Sequence, residues 1–287
     1  MKASVPTLQL ALLTVLTMIA FAANSVFCRL AMQQAKMDPA SFTAIRIISG
    51  AIVLSALLLH QRVFIRVSIS ENWPNALALF VYAAGFSFAY VELQTGIGAL
   101  ILFCSVQLTM IGWGLMKGET LAVRQWIGLA TAIAGLGYLC IGGQQIPNAL
   151  AVSLMALAGG AWGVYSILGK LSRHPLHQTG ANFILAIPLT LTLYLAQFVI
   201  ADRPLPETEG IAWAVLSGGL ASGLGYALWY QILPHLASYR AATIQLSVPV
   251  IAAIAGALFL NEIITVKLVI ASCAILGGIF LVLKKAP

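Results

Sequence analysis

Apolar residues run along this chain in ten stretches parted by short polar breaks, at 8–30, 40–59, 75–93, 97–116, 122–142, 148–171, 179–201, 211–233, 240–260 and 264–284. Each is about 20 residues long, the length an α-helix needs to cross roughly 30 Å of hydrocarbon. The breaks carry turn chemistry: Asp38-Pro39, Trp73-Pro74, Gly142-Gly143 with Pro147, His174-Pro175 and the segment from Pro204 to Glu209. The pattern predicts an all-α, polytopic membrane protein with ten transmembrane helices and no soluble domain.

Composition points the same way. Of 287 residues, 61% are hydrophobic and 8% charged, and a mean hydropathy of +0.97 leaves too few polar groups to coat a water-soluble globule. The fifteen Lys and Arg then set the orientation, because basic residues are retained on the cytoplasmic side. With the N-terminus inside, ten of them are cytoplasmic: Lys2, Arg62, Arg66, Lys117, Arg124, Lys170, Arg173, Arg240, Lys284 and Lys285. Lys36, Arg203 and Lys267 fall on the opposite side, while Arg29 and Arg46 fall inside spans. Both termini are therefore expected in the cytoplasm of an energised cell, in a bacterial inner membrane. The net charge of +7 is scattered over loops rather than clustered on one face, so nucleic acid is not an expected partner. Lys2, the first apolar run and Ala20-Phe21-Ala22 imitate a secretory signal. That run is long for a signal core and recurs later as part of a span, so helix 1 is expected to be retained.

Divided near residue 147, the chain repeats itself. At an offset of 140 to 142 residues, Phe21, Ser25, Arg29 and Leu30 align with Trp162, Ser166, Lys170 and Leu171, and Gly85, Phe86 and Tyr90 with Gly225, Tyr226 and Tyr230. Ser105-Val106 aligns with Ser247-Val248, Gly114 with Gly256, Glu119 with Glu262 after a one-residue slip, and Ala132 and Gly135 with Ala274 and Gly277. The predicted domains are residues 1–146 and 147–287, each a five-helix repeat. Two copies of an odd-numbered bundle lie inverted in the bilayer, the plan of alternating-access carriers.

These features carry a resemblance. The Trp162-Gly163 start in helix 6, the Phe42-Thr43-Ala44-Ile45-Arg46 segment, and two helix pairs joined through Gly118-Glu119 and Asn261-Glu262 (Gly114 to Gly137, Gly256 to Gly278) resemble the drug/metabolite transporter superfamily. Within it the chain is similar to the ten-helix EamA-type exporters, most of all the aromatic amino acid exporters (YddG-like). The resemblance covers nearly the whole sequence. It implies a substrate cavity between the two halves and export from the cytoplasm. Gln107 departs from the pattern: the family often has proline there and at the corresponding helix 9 position, Pro249. Hinging is thus expected at Pro249, whose break frees backbone carbonyls and lets helix 9 bend; Pro188 has the same capacity in helix 7.

The aromatic residues take on meaning in this topology. Tyr82, Phe86 and Tyr90 recur every four residues on one face of helix 3, as Tyr226 and Tyr230 do on helix 8. Inversion places Tyr90 and Tyr230 at opposite mouths, where they are expected to close the outer and inner gates. Trp162 and Tyr165 share a face of helix 6 beside Gly159, Gly160, Gly163 and Gly169, which permit close helix approach. With Tyr82 and Tyr226 they are expected to line an aromatic cavity, a role that competes with ordinary helix packing. Trp73, Trp113, Trp126 and Trp213, near span ends, read as interfacial anchors. Asn24, Arg46, Gln94, Gln107, Asn182 and Gln245 are polar groups within spans and should face the interior or a partner. Gln107 and Gln245 suit a zwitterionic solute. Arg46, about seven residues into helix 2, is expected to snorkel outward or pair within the bundle rather than to meet a carboxylate.

The chain reads as a transporter of small metabolites, amino acids including aromatic ones, working as a monomer in contact with lipid. An alternative cargo is flat organic cations or other toxic compounds, held by ring quadrupoles. Cys28, Cys104, Cys140 and Cys273 lie in spans without metal-ligand spacing and read as buried apolar residues. No metal or cofactor is expected, no phosphate-cradling loop is present, and no constellation of catalytic side chains lies within the spans, so an enzyme is not expected. All eight acidic residues lie at span ends or in loops, which makes gradient-driven facilitation the default, with Glu92 as the one carboxylate kept for coupling.

Overall fold

Ten helices account for most of the chain in the computed structural model, which describes residues 7–141, 147–170, 172, 174–201, 206–236 and 244–283. Lys2, Gly142, Gly143, Leu171, Arg173, Asp202, Arg203, Pro204, Arg240, Lys284 and Lys285, named above for turns, charge or the repeat, lie outside the described residues. The helices are α1 (Thr7–Gln33), α2 (Pro39–His60), α3 (Ile69–Ala89), α4 (Thr95–Met116) and α5 (Val123–Cys140). They continue with α6 (Ala149–Lys170), α7 (Pro175–Ala201), α8 (Thr208–Ile232), α9 (Ser247–Leu260) and α10 (Val266–Leu283). No strand occurs among the described residues.

Seven of them, all but α3, α5 and α9, are long and apolar enough to cross a membrane. The other three fall short for local reasons. Helix α3 begins six residues earlier than its apolar run, taking in Glu71 and Asn72. Helix α5 has only 18 residues and opens on Val123-Arg124-Gln125. Helix α9 has 14 residues, because its break comes early. A proline ring collides with the carbonyl four residues back. The Gln245 carbonyl therefore gets no helical bond from Pro249, and the chain turns at Leu246, between helical Ile244–Gln245 and the start of α9 at Ser247. Pro249 sits in the first turn of α9 rather than bending a continuous helix. Pro188, by contrast, lies within an unbroken α7.

The start of α2 is fixed by Asp38, whose Oδ1 accepts from the N–H groups of Ala40 and Ser41 at 3.0 and 2.9 Å, with Pro39 pre-set for the first turn. Asp38→Ala should cost about 1 kcal/mol of stability, read as a lowered unfolding temperature in detergent; an unchanged midpoint would mean that tertiary packing alone holds this terminus.

Small residues set the packing. Helix α6 lies on α3 and α4, and α1 on α8 and α9. Helix α2 packs on α7 and α8, α3 on α7, α4 on α9 and α5 on α10. A Cβ at Gly159 would lie 2.5 Å from the Leu102 carbonyl oxygen, and one at Gly163 2.8 Å from Thr109 Cβ, so α6 and α4 touch almost backbone to backbone. Gly128 of α5 and Gly278 of α10 face each other's carbonyl oxygens in the same way. Gly160 and Gly169 are not close-approach sites, since a Cβ there would meet only one atom, at 3.7 and 3.9 Å. Of the cysteines, Cys28 and Cys104 are buried as expected, Cys140 is partly covered, and Cys273 is exposed on the outer side of α10.

Candidate functional site

Aromatic rings from both halves of the chain meet in the middle of the bundle. The Trp162 ring is 4.8 Å from that of Tyr82, 5.1 Å from Tyr226 and 5.2 Å from Tyr165, on which it stacks. Tyr82 continues to Phe86 at 5.7 Å and Phe86 to Tyr90 at 4.7 Å, the every-fourth-residue stripe of α3. Phe21 and Phe183 close on Tyr226 from α1 and α7 at 5.9 and 6.0 Å. Tyr82, Phe86, Trp162, Tyr226 and Gln245 line one cavity with Asn24 and Ser25, of about 30 Å³, room for roughly one water.

The other expected residues lie around this box. Tyr165 lines no part of it but is fixed behind Trp162, donating to Thr179 Oγ1 and accepting from Asn182 Nδ2, each at 3.3 Å. Asn182 in turn accepts from Asn72 Nδ2 at 3.1 Å. Gln107 is buried in α4 and is not brought to the cavity. Among the tryptophans, Trp73, Trp113 and Trp126 are exposed near helix ends, and Trp213 stacks on Phe27 at 5.8 Å.

Sequence reasoning missed the polar layer beneath the box. Arg46 does not snorkel. It is 1% exposed, and its guanidinium carbon lies 5.0 and 4.8 Å from the ring centroids of Tyr82 and Phe86. Its Nη2 donates to the Tyr82 hydroxyl at 2.8 Å and its Nε to Ser222 Oγ at 3.3 Å. Asn24 Nδ2 donates to the same hydroxyl at 3.3 Å, while Asn24 Oδ1 accepts from Ser217 Oγ. Ser217 and Ser222 come from Leu216–Leu224, a π-helical stretch of α8. Widening to five residues between bonded groups lets Gly218 press on the Arg46 carbonyl with both serines aimed at α1 and α2. The clue in sequence was the small-residue run Ser217-Gly218-Gly219 with Ser222-Gly223, which was read only as apolar helix.

The two ends of the bundle differ. At the end where α3 stops and α4 starts, Arg29 pairs with Glu262 at 3.2 Å, both nearly buried. Arg29 Nη1 also donates to the carbonyls of Tyr90 and Val91, at 2.9 and 3.1 Å. Glu262 accepts from the Thr95 N–H at 3.0 and 2.8 Å and from its hydroxyl at 3.1 Å. Tyr90 is wholly buried there, its hydroxyl donating to the Thr95 carbonyl at 3.2 Å. At the opposite end Tyr230 lines a cleft of about 920 Å³ with Gln61, Arg66, His174, His177 and Gln231. Glu92 lies on the surface at the closed end, near Lys36 and Asn148 in a depression of about 430 Å³.

Comparison with known proteins gives the chain a family. The model of the EamA-like transporter family matches residues 9–140 and again 149–284. An uncharacterised protein of Pseudomonas aeruginosa is 45% identical over 97% of this chain and 96% of its own length. An "Uncharacterized transporter" of Archaeoglobus fulgidus is 26% identical over 96% of this chain and 97% of its own. A "Probable amino-acid metabolite efflux pump" of Escherichia coli is 22% identical over 75% of this chain and 78% of its own. One solved structure superposes with a TM-score of 0.63 over 93% of this chain and 98% of its own at 19% identity, a likeness of fold alone.

Proposed function

The chain belongs to the EamA-like transporter family, and from that membership we propose that it exports small metabolites, aromatic amino acids among them, by alternating access. On this reading ten helices form two inverted five-helix repeats, 1–146 and 147–287, with both termini in the cytoplasm of a bacterium and the protein in its inner membrane. It acts as a monomeric carrier rather than an enzyme. The aromatic box is the solute site. Tyr90 closes the outer mouth, Tyr230 stands at the inner one, and Pro249 marks the hinge before α9. Transport runs down the solute gradient, with Glu92 as the one carboxylate available for coupling.

The observation that carries this is the box itself, built from α3, α6 and α8 and sealed toward one end of the bundle while a cleft opens at the other. Three further features support it. The family model fits twice, once on each half. The helix contacts map onto one another when the halves are exchanged: α6 on α3 and α4 answers α1 on α8 and α9, and α3 on α7 answers α8 on α2. Glu119 lies against Gly114 as Glu262 lies against Gly256. A cavity of about 30 Å³ admits no amino acid, so Trp162 has to swing away for the box to load, as a carrier's occluding side chain does.

Purified protein in liposomes preloaded with unlabelled phenylalanine should show saturable uptake of labelled phenylalanine against that load, and Trp162→Ala should lower it tenfold or more, the order expected of a central aromatic anchor. Flux without counterflow would make the protein a channel. Counterflow undiminished in Trp162→Ala would remove the box as the solute site.

A further inference from the structure

Arg46 is the largest fully buried side chain among the described residues. A guanidinium keeps its charge, and withdrawing it from water costs several kcal/mol that partners must offset. Among the described residues one ion pair occurs, Arg29 with Glu262, so Arg46 has no carboxylate opposite it. Two hydroxyls and two ring faces are its company, and its Nη1 is buried without a hydrogen-bond partner. The charge is half answered.

The way out of this layer is the Tyr82 hydroxyl. A phenol oxygen accepts two hydrogen bonds and donates one. Tyr82 accepts from Arg46 Nη2 and from Asn24 Nδ2, which uses both acceptor positions. Its own proton is left to donate, has no acceptor among the described residues, and belongs to a ring that lines the aromatic cavity. Asn24 is engaged on its other side as well, its Oδ1 accepting from Ser217 Oγ. The cation behind the phenol polarises that O–H, and such charge-assisted donors prefer anionic acceptors.

We propose that the box is an anion site: it takes the carboxylate of an aromatic solute on the Tyr82 hydroxyl, with Arg46 behind it as the counter-charge and positioning residue. The inference rests on the box being the solute site and names the group that the site reads. Aromatic amino acids and aromatic acids without an amine both qualify. Aromatic amines and flat organic cations do not, since Arg46 already occupies ring faces of Tyr82 and Phe86 that would attract them and repels a second cation at short range.

The test is equilibrium binding to the purified full-length protein in detergent, followed by quenching of tryptophan fluorescence, with phenylalanine, 3-phenylpropionate and phenethylamine as probes. The two carboxylates should bind saturably and the amine at least tenfold more weakly. Tyr82→Phe, which keeps the ring, should weaken 3-phenylpropionate by about tenfold or more, the worth of a hydrogen bond to a charged group, and leave the amine unchanged. Arg46→Gln should erase the preference for acid over amine, and Arg46→Lys should retain it, a rescue that a purely structural role would not produce. If Arg46→Gln does not fold, Tyr82→Phe carries the test alone. Amine binding as tight as acid, acid binding indifferent to Tyr82→Phe, or no saturable binding of either carboxylate would overturn the proposal. Acid binding without counterflow of any amino acid would leave it standing while ending the amino acid export reading; counterflow of amines alongside amino acids would do the reverse.

Discussion

Glu262→Ala should unlatch the closed end of the bundle and expose the interior of α1 to reagents added from that side. The pair it breaks is nearly buried, Arg29 at 7% and Glu262 at 11% side-chain exposure. Removing one partner of such a pair leaves the other as an uncompensated charge and costs about 3 to 5 kcal/mol. The low end applies here, because Arg29 keeps the Tyr90 and Val91 carbonyls and, with the Gln33 amide oxygen turned toward it, a third acceptor. Thr95 is affected as well: its N–H and hydroxyl both lose the carboxylate that ties the start of α4 to the end of α9. A shift of about 3 kcal/mol changes an open-to-closed ratio by roughly 150-fold. Cys28, wholly buried one residue before Arg29, reports on it. In a version with Cys104, Cys140 and Cys273 replaced by serine, a membrane-impermeant thiol reagent should label Cys28 slowly. Adding Glu262→Ala should speed labelling by about a hundredfold, while Glu262→Gln, which keeps an acceptor for Thr95, falls between. An unchanged rate would mean that the latch does not govern access. Glu119, aligned with Glu262 in the other half, is exposed, so in this state the two ends are not equally fastened.

The aromatic cluster was readable in sequence for a definite reason. Residues four apart share a helix face, so Tyr82, Phe86 and Tyr90 had to form a stripe, and Trp162 and Tyr165 had to neighbour each other on α6. The repeat then brought Tyr226 to the same centre. What periodicity does not report is the partner a face will meet. Arg46 was left between snorkelling outward and pairing within the bundle, because hydrocarbon penalises charge, and Tyr82, Phe86 and Ser222 together give it the interior place. Ser222 was invisible as a partner because Leu216–Leu224 is π-helical, and a reading at 3.6 residues per turn assigns its side chains to the wrong directions. For Gln107, position along α4 fixed its depth but not its face, and it does not line the cavity. Pro249 was recognised as a breaker, and the break lies just upstream of it because the ring acts four residues back.

Gly218→Ala should be the most damaging single methyl in the protein, because nothing at its contact can yield. The added Cβ would meet the Arg46 carbonyl oxygen and Ser49 Oγ, and the first is backbone of α2. Ser49 Oγ is itself bonded to that carbonyl at 3.2 Å, so it has little freedom to turn away. Over-packing of this kind costs about 1 to 3 kcal/mol where side chains can shift, and more where they cannot. The relief available is to move α8 off α2, which withdraws Ser222 from Arg46 and Ser217 from Asn24 together. Stability and anion recognition should therefore fall in one step, with a lower unfolding temperature and 3-phenylpropionate binding weakened by about tenfold or more. Two other glycines calibrate the result. A Cβ at Gly219 meets only the tip of Val53 at 3.2 Å, and one at Gly112 meets nothing within 4 Å. Gly219→Ala should stay within about 1 kcal/mol, and Gly112→Ala should gain up to about 1 kcal/mol from helix propensity. If Gly218→Ala melts with these two, the π-helical stretch is not wedged against α2 and Ser222 is held near Arg46 by something other than backbone contact. If it melts early but binds the acid normally, Tyr82 keeps its charge-assisted proton without the serine layer, and Arg46 alone sets the preference for anions.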